Sequence, residues 1–144
     1  MKHSHVFVLT GAGISAESGI PVFRSETGLW ENHRVEDVAE YSGFMRDKNF
    51  VHNFYNTMRA SLKTKEPNLG HRALVTLEDF CNDYHIGFTL VTQNIDNLHE
   101  KAGSKKVIHM HGELNSILCE ACNKRYPYFE DCSDSVACKF FYRE

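Results

Sequence analysis

The sequence predicts an α/β fold: a parallel sheet with helices on both faces, followed by a small cysteine-rich module. Three observations predict it. Short β-branched and aromatic runs at 5–10, 88–92 and 107–111 alternate with stretches of helical period, as in parallel strands joined by crossover helices. A glycine turn, Gly11-Ala12-Gly13, directly follows the first run, where a buried strand would feed a helix. Four of the five cysteines, Cys119, Cys122, Cys132 and Cys138, lie close together near one end of the chain.

The first run, HVFVLT at 5–10, reads as a strand, and the glycine turn after it opens a helix-prone stretch. Residues 21–43 hold Gly28, the only tryptophan, Trp30, and several charges without a sustained period, which predicts an irregular loop with short helical pieces. Phe50, Phe54, Met58 and Leu62 recur at four-residue steps beside Val51 and Tyr55, predicting an amphipathic helix that Lys65-Glu66-Pro67 ends. Asn68 caps a second helix through Ala73, Leu74, Leu77 and Phe80, which crosses over to the second strand after Gly87. Residues 94–102 read as helical with Gly103 as terminator, and 107–111 as the third strand. From 119 onward, cysteines, aromatics, charges and Pro127 without a helical period predict a segment held by a metal.

A chain of 144 residues with 42% hydrophobic content supports one core and a small appendage. Its formal charge of −3 and pI near 6.3 give no general attraction for a polyanion, so no nucleic-acid partner is expected. No long apolar run and no signal-peptide pattern at MKHSHVFVLTGAG are present, so no membrane partner is expected and a soluble, cytoplasmic protein is the default. The grouping of the cysteines suits a local metal site better than a secreted disulfide framework, and Cys81, within a helix pattern, reads as a buried structural thiol.

A glycine pair after a strand lets backbone N–H groups approach a diphosphate, which makes Gly11, Ala12 and Gly13 candidates, although such turns are as often plain connections. Gln93, Asn94, Ile95 and Asp96 follow the second strand, where open α/β sheets gather ligands, and they offer amide and carboxylate groups to a sugar and a carboxamide. Read alone, Asn94 and Asp96 suit helix caps better than cofactor contacts. His111 precedes Gly112 at a strand end, and an imidazole there can take a proton from a hydroxyl at physiological pH. His109 shares that strand face by alternation and reads as a structural, hydrogen-bonded residue; His71 and His99 read as ordinary helix residues.

Three strings in order, GAGISAESGIPVFR at 11–24, TQNIDNLH at 92–99 and HMHGEL at 109–114, closely resemble the sirtuin family of NAD-dependent protein-lysine deacylases. GLWENHRVEDVA and KEPNLGHRAL resemble its bacterial and mitochondrial deacylase class. The resemblance implies a partial Rossmann-like sheet, with 1–114 as the N-terminal part of the NAD-binding domain, including a cofactor loop and a helical insertion, and 115–144 as a partial zinc-binding module. Family members continue with further parallel strands and the adenine contacts; that C-terminal half is absent from these residues, which would leave apolar sheet surface uncovered.

By the same resemblance Gly11, Ala12, Gly13 and Ser15 line the diphosphate and ribose site, while Phe23 and Arg24 sit on a flexible loop that closes over NAD, with Phe23 as the shield against water. Trp30 joins the cofactor group, and Gln93, Asn94, Ile95 and Asp96 hold nicotinamide and its ribose. Asn94, Asp96 and His111 form the catalytic set, with His111 as general base. The implied reaction has the acyl oxygen of a modified lysine attack the anomeric carbon, expelling nicotinamide and giving an alkylimidate. His111 then activates the ribose hydroxyl that attacks it, and O-acyl-ADP-ribose leaves. NAD hydrolysis and ADP-ribosyl transfer are chemical relatives of this reaction, and a non-catalytic interaction module is the alternative from another class.

In the desuccinylase-like branch a Tyr followed three residues later by Arg holds the acyl carboxylate. Tyr55 is present, but Met58 stands at the Arg position and Arg59 comes one residue later, reaching in only if the helix is rotated. Tyr55 and Met58 as substrate-binding residues therefore suit a neutral acyl group. Cys119-Glu-Ala-Cys122 has zinc-knuckle spacing, but Phe141 stands where the second cysteine of the family's downstream pair belongs. Two readings stand: a structural zinc on Cys119, Cys122, Cys132 and Cys138, or a crippled site.

Overall fold

A computed structural model describes residues 4–22 and 29–134. They form two compact units, one from the described parts of Met1–Val22 and Thr64–Glu113, the other from those of Phe23–Lys63 and Leu114–Glu144.

The first unit is built on a parallel sheet of β1 (His5–Thr10), β4 (Gly87–Thr92) and β5 (Val107–His109), in the order β1-β4-β5. β1 pairs with β4 from His5↔Gly87 to Thr10↔Thr92, and β4 with β5 from Leu90↔Val107 to Thr92↔His109. Alternation along these strands separates two faces. Val6, Val8 and Thr10 share one with the fully buried Leu90 and Thr92. Helix α5 (Leu69–Asp83) packs on β4 and carries α6 (Leu98–Ala102), which buries Leu98 completely. The other face presents Phe7, Leu9 and Ile108, each more than half exposed. Helical cover of both faces is thus met on one face only among the described residues, and the apolar alternation of β1 leaves its odd positions open.

Asn68 caps α5 as its sequence position suggests. Its Oδ1 accepts from the Gly70 N–H at 2.9 Å, and the His71 side chain closes the box by accepting from the Asn68 N–H at 3.3 Å. Asn68 Nδ2 also donates to the Ile14 carbonyl at 2.7 Å, tying α5 to the single-turn α1 (Gly13–Ala16). Cys81 is fully buried, as expected of a structural thiol. Two boundaries differ from expectation. The predicted 94–102 helix begins only at Leu98, because the Asn94 side chain bonds to Gly11 and Ser15 and the Asp96 side chain to Ser15 and the Leu98 N–H, which hold the backbone in a loop. The third strand ends at His109, with Met110 and His111 in a turn that Gly112 closes at φ +93°.

The second unit holds the hairpin β2 (Leu29–Trp30) and β3 (His33–Arg34), then α2 (Val35–Val38), α3 (Tyr41–Arg46) and α4 (Lys48–Leu62). The short helical pieces expected in this stretch are α2 and α3, and the hairpin before them was not expected. Gly43 is what allows the two helices to meet: a Cβ there would collide with the backbone oxygens of Glu36 and Asp37, so α3 can lie against α2 only with glycine at this point. Asp47 caps α4 by accepting from the Phe50 N–H at 2.9 Å, and Val51, Phe54 and Leu62 form its buried stripe. A hairpin of β6 (Ser116–Leu118) and β7 (Arg125–Pro127) follows, and its tip carries Cys119 and Cys122. No helix among the described residues is long and apolar enough to cross a membrane.

Candidate active site

Thr10 and Thr92 are register partners, and the Gln93 N–H donates to the Thr10 carbonyl at 2.9 Å, so the chain leaves β1 and β4 at one edge. The Gly11 turn and the 93–96 loop meet there. Asn94 Nδ2 donates to the Gly11 carbonyl and to Ser15 Oγ, both at 3.1 Å. Ser15 Oγ–H donates to Asp96 Oδ2 at 2.9 Å, and Asp96 Oδ1 accepts from the Leu98 N–H at 3.0 Å. Ser15, Asn94 and Asp96 are all buried.

The direction of these bonds is fixed by their ends. His71 Nδ1 accepts from the Asn68 N–H, so in a neutral ring Nε2 carries the proton and faces Ser15 Oγ at 3.4 Å. Ser15 Oγ therefore accepts from Asn94 and His71 and donates its one proton to Asp96, which fills its capacity. Burial pushes the His71 value down, against a smaller opposing pull from Asp96, in keeping with a neutral ring. His99 packs edge-on against His71 with ring centres 4.9 Å apart and shares a 2.9 Å bond with Thr10 Oγ1; burial, then His71, lower its value too. These two histidines, read as bland from the sequence, form the floor of the site. The signal lay in their spacing: His71 three residues after a capping Asn68, and His99 three after Asp96.

The lowered values of His71 and His99 carry a prediction for stability against pH. The fold favours their neutral forms, so this contribution is present above the ordinary imidazole value of 6.5 and is lost as pH falls through their lowered folded values. The urea midpoint is expected to fall as pH drops below about 6.5, beginning above the range where most carboxylates titrate. A midpoint that stays flat below that pH counts against neutral buried rings.

Both histidines of HMH turn to the 93–94 loop. His109 Nδ1 lies 2.9 Å from the Asn94 carbonyl, and His111 Nδ1 lies 3.1 Å from the Gln93 carbonyl. Strand alternation does not place them so, since His111 lies in the turn; the carbonyls of the neighbouring loop do. A carbonyl only accepts, so His111 Nδ1 holds the proton and, in the neutral ring, Nε2 keeps its lone pair on an exposed ring. That is the tautomer a base needs.

Gly11 and Gly13 have no left-handed backbone, and nothing lies within 4 Å of where a Cβ on Gly13 would stand. Neither strain nor packing within the described chain demands glycine at 13, and the space over it is open. α1 is one turn long, so its dipole contributes less than the expected helix would.

Residues 11–139 match the Sir2 family. The chain belongs to that family. The Sir2 chain is 51% identical over 140 residues to an NAD-dependent protein deacylase of Yersinia pestis, covering 96% of this chain and 49% of that protein. The corresponding deacylase of Vibrio parahaemolyticus is 50% identical over 138 residues, with 94% and 56% covered. Among solved structures, a Sir2 homologue mutant in complex with ADP-ribose superposes with a TM-score of 0.79 at 38% identity, covering 93% of this chain and 53% of that one. A Sir2 homologue in complex with NAD gives 0.75 at 39%, with 90% and 50% covered. The Sir2 chain spans about half the length of the curated relatives it matches.

Of the residues singled out in the sequence, Gly11, Ala12, Gly13, Ser15, Gln93, Asn94, Ile95, Asp96 and His111 lie in the first unit of this Sir2 chain. Phe23, Arg24 and Cys138 lie outside the described residues. Trp30 belongs to the second unit, edge-on to Phe54 and Tyr55 at 5.3 and 6.2 Å between ring centres. Tyr55 is thereby half-buried, and burial raises its phenol value. Met58 lines a cavity of about 390 Å³ with Phe50, Phe54, Thr57 and His33. Arg59 does not reach into it. Its Nε donates to the Leu114 carbonyl at 2.9 Å and its Nη1 to Asn56 Oδ1 at 2.6 Å and the Glu130 carbonyl at 3.4 Å, within a buried side chain.

Cys119 and Cys122 stand on a tight turn closed by the Asn123 N–H donating to the Cys119 carbonyl at 2.8 Å and the Cys119 N–H to the Lys124 carbonyl at 3.0 Å. The Cys132 backbone is pinned to α4 by Asn56, which accepts from its N–H at 2.8 Å and donates to its carbonyl at 2.9 Å. Among the described residues no group of three His, Cys, Asp or Glu side chains is placed to hold a metal ion.

Proposed function

We propose that the chain carries the nicotinamide-ribose side of an NAD-dependent protein-lysine deacylase, as the N-terminal part of its NAD-binding domain with a helical insertion and a partial zinc module. NAD and acyl-lysine proteins are its substrates. The observation that carries the reading is the Ser15–Asn94–Asp96 cluster at the edge where the Gly11 turn and the 93–96 loop meet, with His111 beside it in the tautomer of a base. Open space over Gly13 admits a diphosphate. The buried amide and carboxylate orient a ribose and carboxamide, and His111 Nε2 takes the proton of a ribose hydroxyl. Incubation with NAD and an acetyl-lysine peptide is expected to release nicotinamide and free lysine in equal amounts. Nicotinamide without deacylation would move the assignment to NAD hydrolysis or ADP-ribosyl transfer, and folded protein that binds no NAD would make it a non-catalytic module.

Met58 supplies an apolar wall, and Arg59 is buried, does not line the cavity and is held by Leu114, Asn56 and Glu130, so neither position offers the cavity a cation for an acyl carboxylate. Initial rates should favour acetyl-lysine over succinyl-lysine peptide by at least about tenfold, the scale of one lost charge-assisted bond. Met58→Arg should narrow that ratio. A succinyl preference in the unaltered protein counts against Met58 as the acyl wall.

A structural zinc on Cys119 and Cys122, completed by Cys132 and Cys138, is the metal reading. What supports it is the knuckle turn that presents the first two thiols. The described cysteines do not assemble the full tetrahedron. Metal analysis of protein purified under reducing conditions should give about one zinc per chain, and a ratio near zero removes the metal.

A further inference from the structure

His109 faces acceptors at both ring nitrogens. Its Nδ1 lies 2.9 Å from the carbonyl of Asn94, and its Nε2 lies 2.8 Å from Glu100 Oε1 on α6. A backbone carbonyl has no proton to give, and a carboxylate has none when ionised. The histidine side chain is 5% exposed, so water does not compete for either position. A neutral imidazole has one N–H and could satisfy only one of these partners. We propose that His109 is held as an imidazolium that bridges the Asn94 carbonyl and the Glu100 carboxylate, and that this bridge is the positioning residue for Asn94 and the loop that leads to Asp96.

The groups around the ring agree. Glu113, after β5, adds a second negative charge, while His99 on α6 is held neutral by burial and opposes little; the strand partner Thr92 carries no charge. Burial alone would lower the His109 value, but the bonds to Glu100 and Asn94 outweigh it and raise it. Glu100 is held low by its bond to His109, against its own burial. The contrast with His111 is instructive: one carbonyl partner leaves that ring a free nitrogen, whereas two acceptors leave His109 none. The bridge is complete below the ordinary imidazole value and is lost as pH rises through the raised folded value, when one of the two bonds must go. Asn94 is released on its carbonyl side and its amide bonds to Gly11 and Ser15 loosen.

This rests on the reading of Asn94 as a cofactor contact only in its consequence for NAD. The ring itself is tested by nitrogen-detected NMR of the histidines in the full chain, with and without Glu100→Gln. Both His109 nitrogens are expected to carry protons at neutral pH, and the Asn94 side-chain amide signals should shift with the same midpoint as the ring. Glu100→Gln should move both midpoints to lower pH together. A ring with one protonated nitrogen at neutral pH overturns the inference, as do Asn94 signals that ignore the His109 titration. NAD affinity measured alongside should weaken with that midpoint. Protein that binds no NAD at any pH would remove the cofactor reading and leave the ring titration to decide the bridge.

Discussion

Under the proposed deacylase function, replacing His111 by alanine is expected to lower deacylation turnover by about 10²- to 10⁴-fold, the usual worth of a positioned base, with NAD affinity nearly unchanged. The ring is exposed, lies beyond the end of β5 and makes one internal bond, to the Gln93 carbonyl. Its removal takes no volume from the core, so the cost in folding stability should stay below about 1 kcal/mol. His111→Asn separates two roles. An asparagine amide can still donate to the Gln93 carbonyl, so it keeps the contact and loses the base. Loss in both variants assigns the effect to proton transfer; recovery in the asparagine variant would reduce His111 to a prop for the loop. Turnover near the unaltered level in either variant would remove His111 as the base.

The three strands of the parallel sheet, the two long helices and the Asn68 cap were legible because each is signalled locally, by a hydrophobic period or a capping residue, whereas the short hairpins were not. The start of α6 was not, since Asn94 and Asp96 suit a helix end as well as a loop, and only partners far away in sequence, Gly11 and Ser15, decide between them. The motif strings placed Ser15, Asn94 and Asp96 at one site, but not His71 or His99, whose helical context hid that both rings sit beneath it. Arg59 was read as reaching in only from a rotated helix, and the carbonyls that hold it elsewhere, at Leu114 and Glu130, lie too far along the chain for any local pattern to reveal.

The conservative change Asp96→Asn is expected to be nearly as harmful as deletion of the side chain, costing about 2–4 kcal/mol. The reason lies in the direction of the hydrogen bonds. Leu98 N–H requires an acceptor at Oδ1, which forces the new amide nitrogen to the Oδ2 side, against Ser15 Oγ. That oxygen already accepts from Asn94 Nδ2 and His71 Nε2 and must itself donate, so two protons meet with no acceptor between them. Rotating the amide only moves the conflict to Leu98 N–H. The double variant Asn94→Asp with Asp96→Asn reverses the chain of bonds, because Ser15 can then donate to residue 94 and accept from residue 96. Recovery should be partial, since a carboxylate at 94 faces the Gly11 carbonyl, where the amide now donates. Thermal melting of the single and double variants measures this: the double should be less destabilised than the sum of its parts. A single variant that melts within about 1 °C of the unaltered chain, or strictly additive losses, would show that Ser15 is not bound in the direction its neighbours dictate.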